Sequence, residues 1–360
     1  MRLMMNILMK NLNKKTLLYI IPVILCFIKL PEGLLSTVIY ATIIVPLAIM
    51  LGGLTSDISE YIGEKKGGLL AAGVGNIPEI TMGIWAINYG MISMVKSALI
   101  GSIISNMLLV LGISIFFGGV KYKEQSFNKI VARTNFTMLI LAMATMIVMA
   151  SLNNYSSIVT EEILINLSVK IGIVLIVVYI LGLIFSLYTH SNLFIGSDLE
   201  SDSSLIKSKG FLKILLEIIV VAVILYFVSE KLIFNLSITV NQYNISQEFL
   251  GIILIPLLGN SGENFSAIMC AMKNKINLSL EIAIGSSIQI SLFVTPLLII
   301  FSFIMGVKMT LLFSGFQIII SVVAVLMSLL VFQDGKTYWF EGAVLIAIYM
   351  VVTLAYYYLV

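Results

Sequence analysis

The sequence predicts an all-α integral membrane protein of about eleven transmembrane helices, and three observations lead there. Of its 360 residues 60% are hydrophobic and 11% charged, whereas soluble domains carry about 25% charged residues. The apolar residues gather in runs that match the span of a bilayer, about 20 residues. A short phrase with a glutamate in it, GNIPE, returns later as GNSGE, and both copies sit inside apolar runs.

In chain order the runs are 16–31, 34–54, 67–89, 93–118, 130–151, 164–188, 211–229, 247–271, 278–305, 309–332 and 338–359. The first follows the basic stretch MRLMMNILMKNLNKK and looks like a signal peptide. No small-residue cleavage site follows it, so it reads as a retained span. Most connections are short. The longest polar insertion, YTHSNLFIGSDLESDSSLIKSKG, divides the chain nearly in half.

Positive charge sets the orientation. With the N-terminus in the cytoplasm and sides alternating, only Lys29, Lys96, Lys170, Lys231 and Lys308 of the 21 Lys and Arg residues fall outside. The other 16 face the cytoplasm, and a wrong span count would scramble that bias. The C-terminus is therefore expected outside. The net charge of +3 belongs to loops beside spans, so no nucleic-acid partner is expected. Cys26 and Cys270 lie apart in apolar runs and have neither disulfide nor metal-site spacing.

One constant offset of 184 residues aligns Gly75 with Gly259, Asn76 with Asn260 and Glu79 with Glu263. Without a gap it also aligns Gly101 with Gly285 and Ser102 with Ser286, and sets Ser105 opposite Gln289. The copies begin in the third and eighth runs. An odd number of spans separates them, so the second copy is expected to cross the membrane in the opposite direction. Inverted repeats of this kind mark secondary transporters, whose sites lie near mid-membrane where the repeats meet.

A carboxylate at that depth needs a partner or a function. Helix-breakers accompany each one: Gly75 and Pro78 in the first copy, Gly259 and Gly262 in the second. Proline removes an amide donor, and a broken helix can turn free carbonyls toward a cavity. The candidate ligands besides Glu79 and Glu263 are Asn76, Ser102, Ser105 and Asn106, then Asn260, Ser286, Ser287 and Gln289. All are oxygen donors, which suit Ca2+, Mg2+ or Na+ and argue against zinc or copper. Two carboxylates neutralise one divalent ion, and many flexible oxygens favour Ca2+ over Mg2+. Two ionised carboxylates left together without water are unfavourable, and such a pair titrates as a unit. Protons are then the natural replacement cargo. A purely structural role for both glutamates is the competing reading, and each serine alone fits helix packing as well as ligation.

At these residues the chain resembles the calcium/cation antiporter superfamily, in its proton/calcium exchanger branch. GGLTSDISEYIGEKKGGLLAAGVGNIPE and VKSALIGSIISNMLLVLGISIFFGG carry the likeness in the first half. YTHSNLF, FVSEKL, KNKINLSLEIAIGSSIQISLFVTP and QDGKTYWFEGAVLIAIYMVVTLAYYYL carry it onward, so it covers nearly the whole chain. The resemblance implies a first helix plus two inverted five-helix repeats. The corresponding segments are 1–33 for the N-terminus and first span, 34–190 and 211–360 for the repeats, and 191–210 for a cytoplasmic linker. It also implies near-electroneutral Ca2+ efflux driven by protons, with Glu79 and Glu263 as the shared site, flanked by Asn76 and Asn260. No cofactor is expected; Ca2+ is the substrate, and the partners are the transported cations and the lipid bilayer.

Three departures stand out. Asn264 replaces the histidine that the family places after its second glutamate, Ile77 and Pro78 replace small or hydroxylated residues, and the acidic stretch shrinks to Asp198, Glu200 and Asp202. A solvated loop is the simpler role for that stretch. His190, Glu281, Asp57, Glu230 and Glu341 read as interfacial or capping residues. Rival functions are exchange of Na+ for Ca2+, proton-coupled Mg2+ or Mn2+ transport, an intramembrane aspartyl protease, and a passive channel. The protease lacks any deep aspartate here, and channels usually build filters from subunit rings. The compact loops point to a prokaryotic plasma membrane, and homo-oligomerisation is left open.

Overall fold

The computed structural model describes residues 14–152, 160–190 and 208–359. The basic N-terminal stretch before residue 14 and the acidic residues Asp198, Glu200 and Asp202 lie outside the described residues. Helices dominate. In order they are α1 (Lys14–Phe27), α2 (Leu34–Val74), α3 (Ile77–Asn88), α4 (Ile92–Ile104), α5 (Leu111–Tyr122), α6 (Lys129–Ser151) and α7 (Glu161–Ile184). After the linker come α8 (Ser208–Tyr243), α9 (Gln247–Gly259), α10 (Ser261–Met272), α11 (Ile276–Gln289), α12 (Thr295–Ile304), α13 (Gly315–Val331) and α14 (Trp339–Leu359). Strands β1 (Glu124–Ser126) and β2 (Lys336–Tyr338) form a small antiparallel ribbon that pairs Gln125 with Thr337.

Among the described residues seven helices are long and apolar enough to cross a membrane. The third and eighth apolar runs are not single helices, because each is broken at its GN phrase. Helix starts follow local chemistry. Asn128 accepts the amides of Ile130 and Val131 to open α6, and Ser314 with Gln317 forms a capping box for α13. On α7, Gly172, Leu175 and Tyr179 are buried while Val174, Val177 and Leu181 face outward. A helix apolar on both faces fits a protein surrounded by lipid.

The same local structure recurs in both halves. Starts at Ile77, Ile92 and Leu111 reappear at Ser261, Ile276 and Thr295, each 184 residues later. Gly90 (φ +72°) and Asn274 (φ +60°) hold matching left-handed turns, and Asn is one of the few residues besides Gly that enters that region readily. A π-helical turn, Ser105–Val110, joins α4 to α5, and another, Ile290–Val294, joins α11 to α12.

Loops that the charge pattern assigns to one side meet in space. The ribbon joins the connection before α6 to the one before α14, and the backbone N–H of Asn128 in the first donates to Asn277 Oδ1, at 2.8 Å, beyond α10. On the opposite side Lys308 pairs with Glu161 at 2.7 Å.

Two expected boundaries differ. The second and third runs were separated at 55–66, yet α2 continues unbroken from Leu34 to Val74. No proline stands between Pro46 and Pro78, and polar residues alone do not end a helix. The seventh run, expected to end at 229, continues through Glu230 and Lys231 to Tyr243. Its later polar residues are bonded: Asn235 accepts the Gly33 amide at 3.1 Å, and Thr239 meets Thr37 at 3.1 Å.

The tightest crossing is α4 on α9, where a side chain at Gly101 would strike the Ile252 backbone and one at Gly251 the Met94 carbonyl. Gly101→Leu and Gly251→Leu are each expected to destabilise the protein by about 3 kcal/mol or more. At Gly285, the position matching Gly101, an added Cβ meets nothing within 4 Å among the described residues, and Gly285→Leu should be much milder. Thermal unfolding in detergent checks the contrast.

Candidate functional site

The two breaks create the site. Val74 ends α2, Gly75 and Asn76 form a turn, and α3 restarts at Ile77 with Glu79 in its first turn. Pro78 has no amide hydrogen to return to the preceding helix. In the other half Asn260 alone separates α9 from α10, and Glu263 occupies the matching place in the first turn of α10. Each carboxylate therefore sits at the positive end of a short helix, which favours its charge. The preceding helix brings its free carbonyls to the same point.

The halves interlock at these positions. A Cβ on Gly259 would strike the Glu79 carboxylate, and a Cβ on Gly262 would strike the Ala48 carbonyl. Neither glycine has a positive φ. The break itself falls at Asn260, directly after Gly259, and both glycines also serve close approach.

Glu79 and Glu263 are near enough to repel one another. Neither has an ion-pair partner among the described residues. Two cross-links join the copies beside them: Asn76 donates to Gln289, and Asn106 Nδ2 donates to Ser286 Oγ at 3.0 Å; within the second copy the Ser286 hydroxyl turns to Glu263. Ser102 lines a cavity beside Glu79. Two candidates are not brought in. Ser105 is directed at Tyr349 on α14, and Ser287 donates to the Ala283 carbonyl of its own helix at 3.1 Å.

Buried polar atoms ordinarily find partners, yet here a set of oxygens has none among the described residues. It comprises both oxygens of Glu79, Glu263 Oε2, and Oδ1 of Asn76, Asn106, Asn260 and Asn264. Such a set, two acids with neutral amides, is suited to a hard cation. Among the described residues no group of three or more His, Cys, Asp or Glu side chains could hold a metal ion. An ion here would depend on amide and hydroxyl oxygens for most of its shell, which favours release as well as capture. Sequence reasoning did not place Tyr179, which lies within electrostatic range of Glu263 and stacks on Phe293, centroids 5.5 Å apart. The available signal was a lone hydroxyl in the run IVLIVVYILGLI.

The family described as "Sodium/calcium exchanger protein" matches residues 32–188 and 213–358. A Ca2+/H+ antiporter of Aphanothece halophytica is 39% identical over 330 residues, covering 88% of each chain. The Ca2+/H+ antiporter ChaA of Bacillus subtilis is 34% identical over 328 residues, covering 91% of this chain and 93% of its own. The solved structure of native YfkE superposes with a TM-score of 0.78 at 31% identity, covering 95% of this chain and 97% of that one.

Gly259→Ala places a methyl group against the Glu79 carboxylate. It is expected to weaken divalent-cation binding about tenfold, roughly 1.4 kcal/mol. Cation-dependent thermal shift reads this, with the cation-free melting temperature close to wild type.

Proposed function

The chain belongs to the sodium/calcium exchanger protein family, and from that premise we propose that it exchanges Ca2+ for protons across a membrane. It is a transporter rather than an enzyme. The observation that carries the reading is the set of partnerless oxygens around two facing glutamates at the matched helix breaks. The names of its relatives, Ca2+/H+ antiporters at 39% and 34% identity, favour protons over Na+ as the counter-ion.

In this reading one Ca2+ binds between Glu79 and Glu263, with Asn76, Asn260, Asn106, Ser102, Ser286 and Gln289 as neighbouring donors or supports. Protons neutralise the same carboxylates when the ion leaves. The doubly ionised empty site is too unfavourable to reorient through the protein, so each crossing carries either Ca2+ or protons, and the two fluxes are coupled. Alternating access follows from two inverted five-helix repeats within eleven spans, the N-terminus cytoplasmic. Asn264, with its buried unpartnered oxygen, adds a neutral ligand where the family's histidine would bring a titratable one.

Inverted vesicles loaded with a Ca2+ dye test this. An imposed pH gradient should drive Ca2+ movement; movement under a Na+ gradient alone would replace protons with Na+. Glu79→Gln and Glu263→Gln should each lower flux about a hundredfold or more while the protein still folds. Full flux in either variant removes that residue from the site.

A further inference from the structure

We propose that Gln125, Ser114 and Ser279 line a narrow water file between the cytoplasmic ribbon and Glu263, and that the exchanged proton travels along it. The proposal rests on the reading that protons are the counter-cargo.

Outside the cation cluster, four side chains keep a buried polar atom without a partner among the described residues: Ser114, Gln125, Ser279 and Tyr179. The first three belong to α5, to the ribbon strand β1 and to α11, and α5, α10 and α11 pack on one another. Gln125 Nε2 donates to the Ala271 carbonyl and to Asn274 Oδ1, both at 3.0 Å. Its Oε1 is left against Gly118, where any Cβ would collide with it. Ser114 precedes Gly118 by one turn of α5 and so shares that face. Ser279 lies in the first turn of α11, whose start is tied to the ribbon through Asn277 and Asn128.

Going inward, the same two helices lead to the carboxylate. Ser114 follows Asn106 by about two turns and Ser279 precedes Ser286 by about two, roughly 12 and 10 Å. Asn106 and Ser286 are bonded to each other, and Ser286 turns to Glu263. The two helices thus set their hydroxyls at similar depth below one hydrogen-bonded pair. Both serines are fully buried, and an unpartnered buried hydroxyl is unfavourable by about 1–3 kcal/mol. Bridging water is the ordinary remedy.

The other half shows the contrast. The offset of 184 residues sets Leu298 opposite Ser114 and Val95 opposite Ser279. Leu298 and Val95 line the cavity beyond Glu79 together with Met82 and Met94. One half-passage is therefore apolar where its counterpart carries hydroxyls. Glu281, two residues after Ser279, lies on a different face of α11, and a single line of hydroxyls does not strip a hydrated Ca2+. A proton needs only exchange along the file, each water accepting one proton and passing another on, so that one arrives at Glu263.

The test compares two fluxes in the same vesicles: Ca2+ movement driven by a pH gradient, and exchange of labelled Ca2+ for Ca2+, which needs no proton. Ser114→Ala with Ser279→Ala, and separately Ser279→Val, should lower the proton-driven flux about tenfold relative to Ca2+/Ca2+ exchange. Ser114→Thr and Ser279→Thr, which keep the hydroxyl, should hold the wild-type ratio. An unchanged ratio in the alanine variant overturns the file, as does equal loss of both fluxes. Failure of wild-type protein to respond to a pH gradient would instead overturn the proton reading itself.

Discussion

Two acidic side chains lie within repulsive range of each other inside this protein, with no basic partner among the described residues, and much of the architecture around them bears on that repulsion. Glu79 and Glu263 repel one another; Glu79 is buried, and Glu263 is half-buried with its Oε2 shut away. The fold eases this locally by giving each carboxylate the positive end of a short helix. It leaves the remainder to whatever positive species enters. Glycine at 259 and 262 allows the two broken helices to come within contact of the opposite half, Gly259 against the Glu79 carboxylate and Gly262 against the Ala48 carbonyl.

The surroundings divide the labour between holding and anchoring. Around the acids, the amide oxygens of Asn76, Asn106, Asn260 and Asn264 lack partners among the described residues. At the far end of α10 the situation is reversed: its last carbonyls are occupied, Met272 by Lys121 and Tyr122 at 2.9 and 3.1 Å, Ala271 by Gln125. The short helix carrying Glu263 is therefore fixed at its outer end and chemically open at its inner one.

Much of this was legible in the sequence because helix breaks and deep carboxylates leave marks that composition does not dilute. The phrase GN, the glutamate three residues after its asparagine and the constant offset located the acids and the asparagines. Serine was harder. In a helix its hydroxyl can return to a carbonyl one turn back, as Ser287 does, and nothing in the sequence separates that from a ligand. Glycine was ambiguous for a similar reason, since a missing Cβ serves either an unusual turn or a close neighbour, and Gly259 and Gly262 serve the second. The continuity of α2 was hidden because its polar middle resembles a loop in composition while containing nothing that stops a helix. Tyr179 depends on a contact between distant segments, which no local pattern encodes.

The π-helical turns at Ser105–Val110 and Ile290–Val294 carry a consequence of their own. A π turn holds one residue more than the regular coil requires, and such a surplus is normally selected against unless it is used. Here the surplus falls beside the candidate ligands in both halves, the first turn opening on Ser105 and Asn106 and the second following directly on Gln289. The bulge sets the side chains on its far side out of step with those before it, so in each half the hydroxyls and amides of the site and the apolar residues beyond it answer to different faces of one continuous rod.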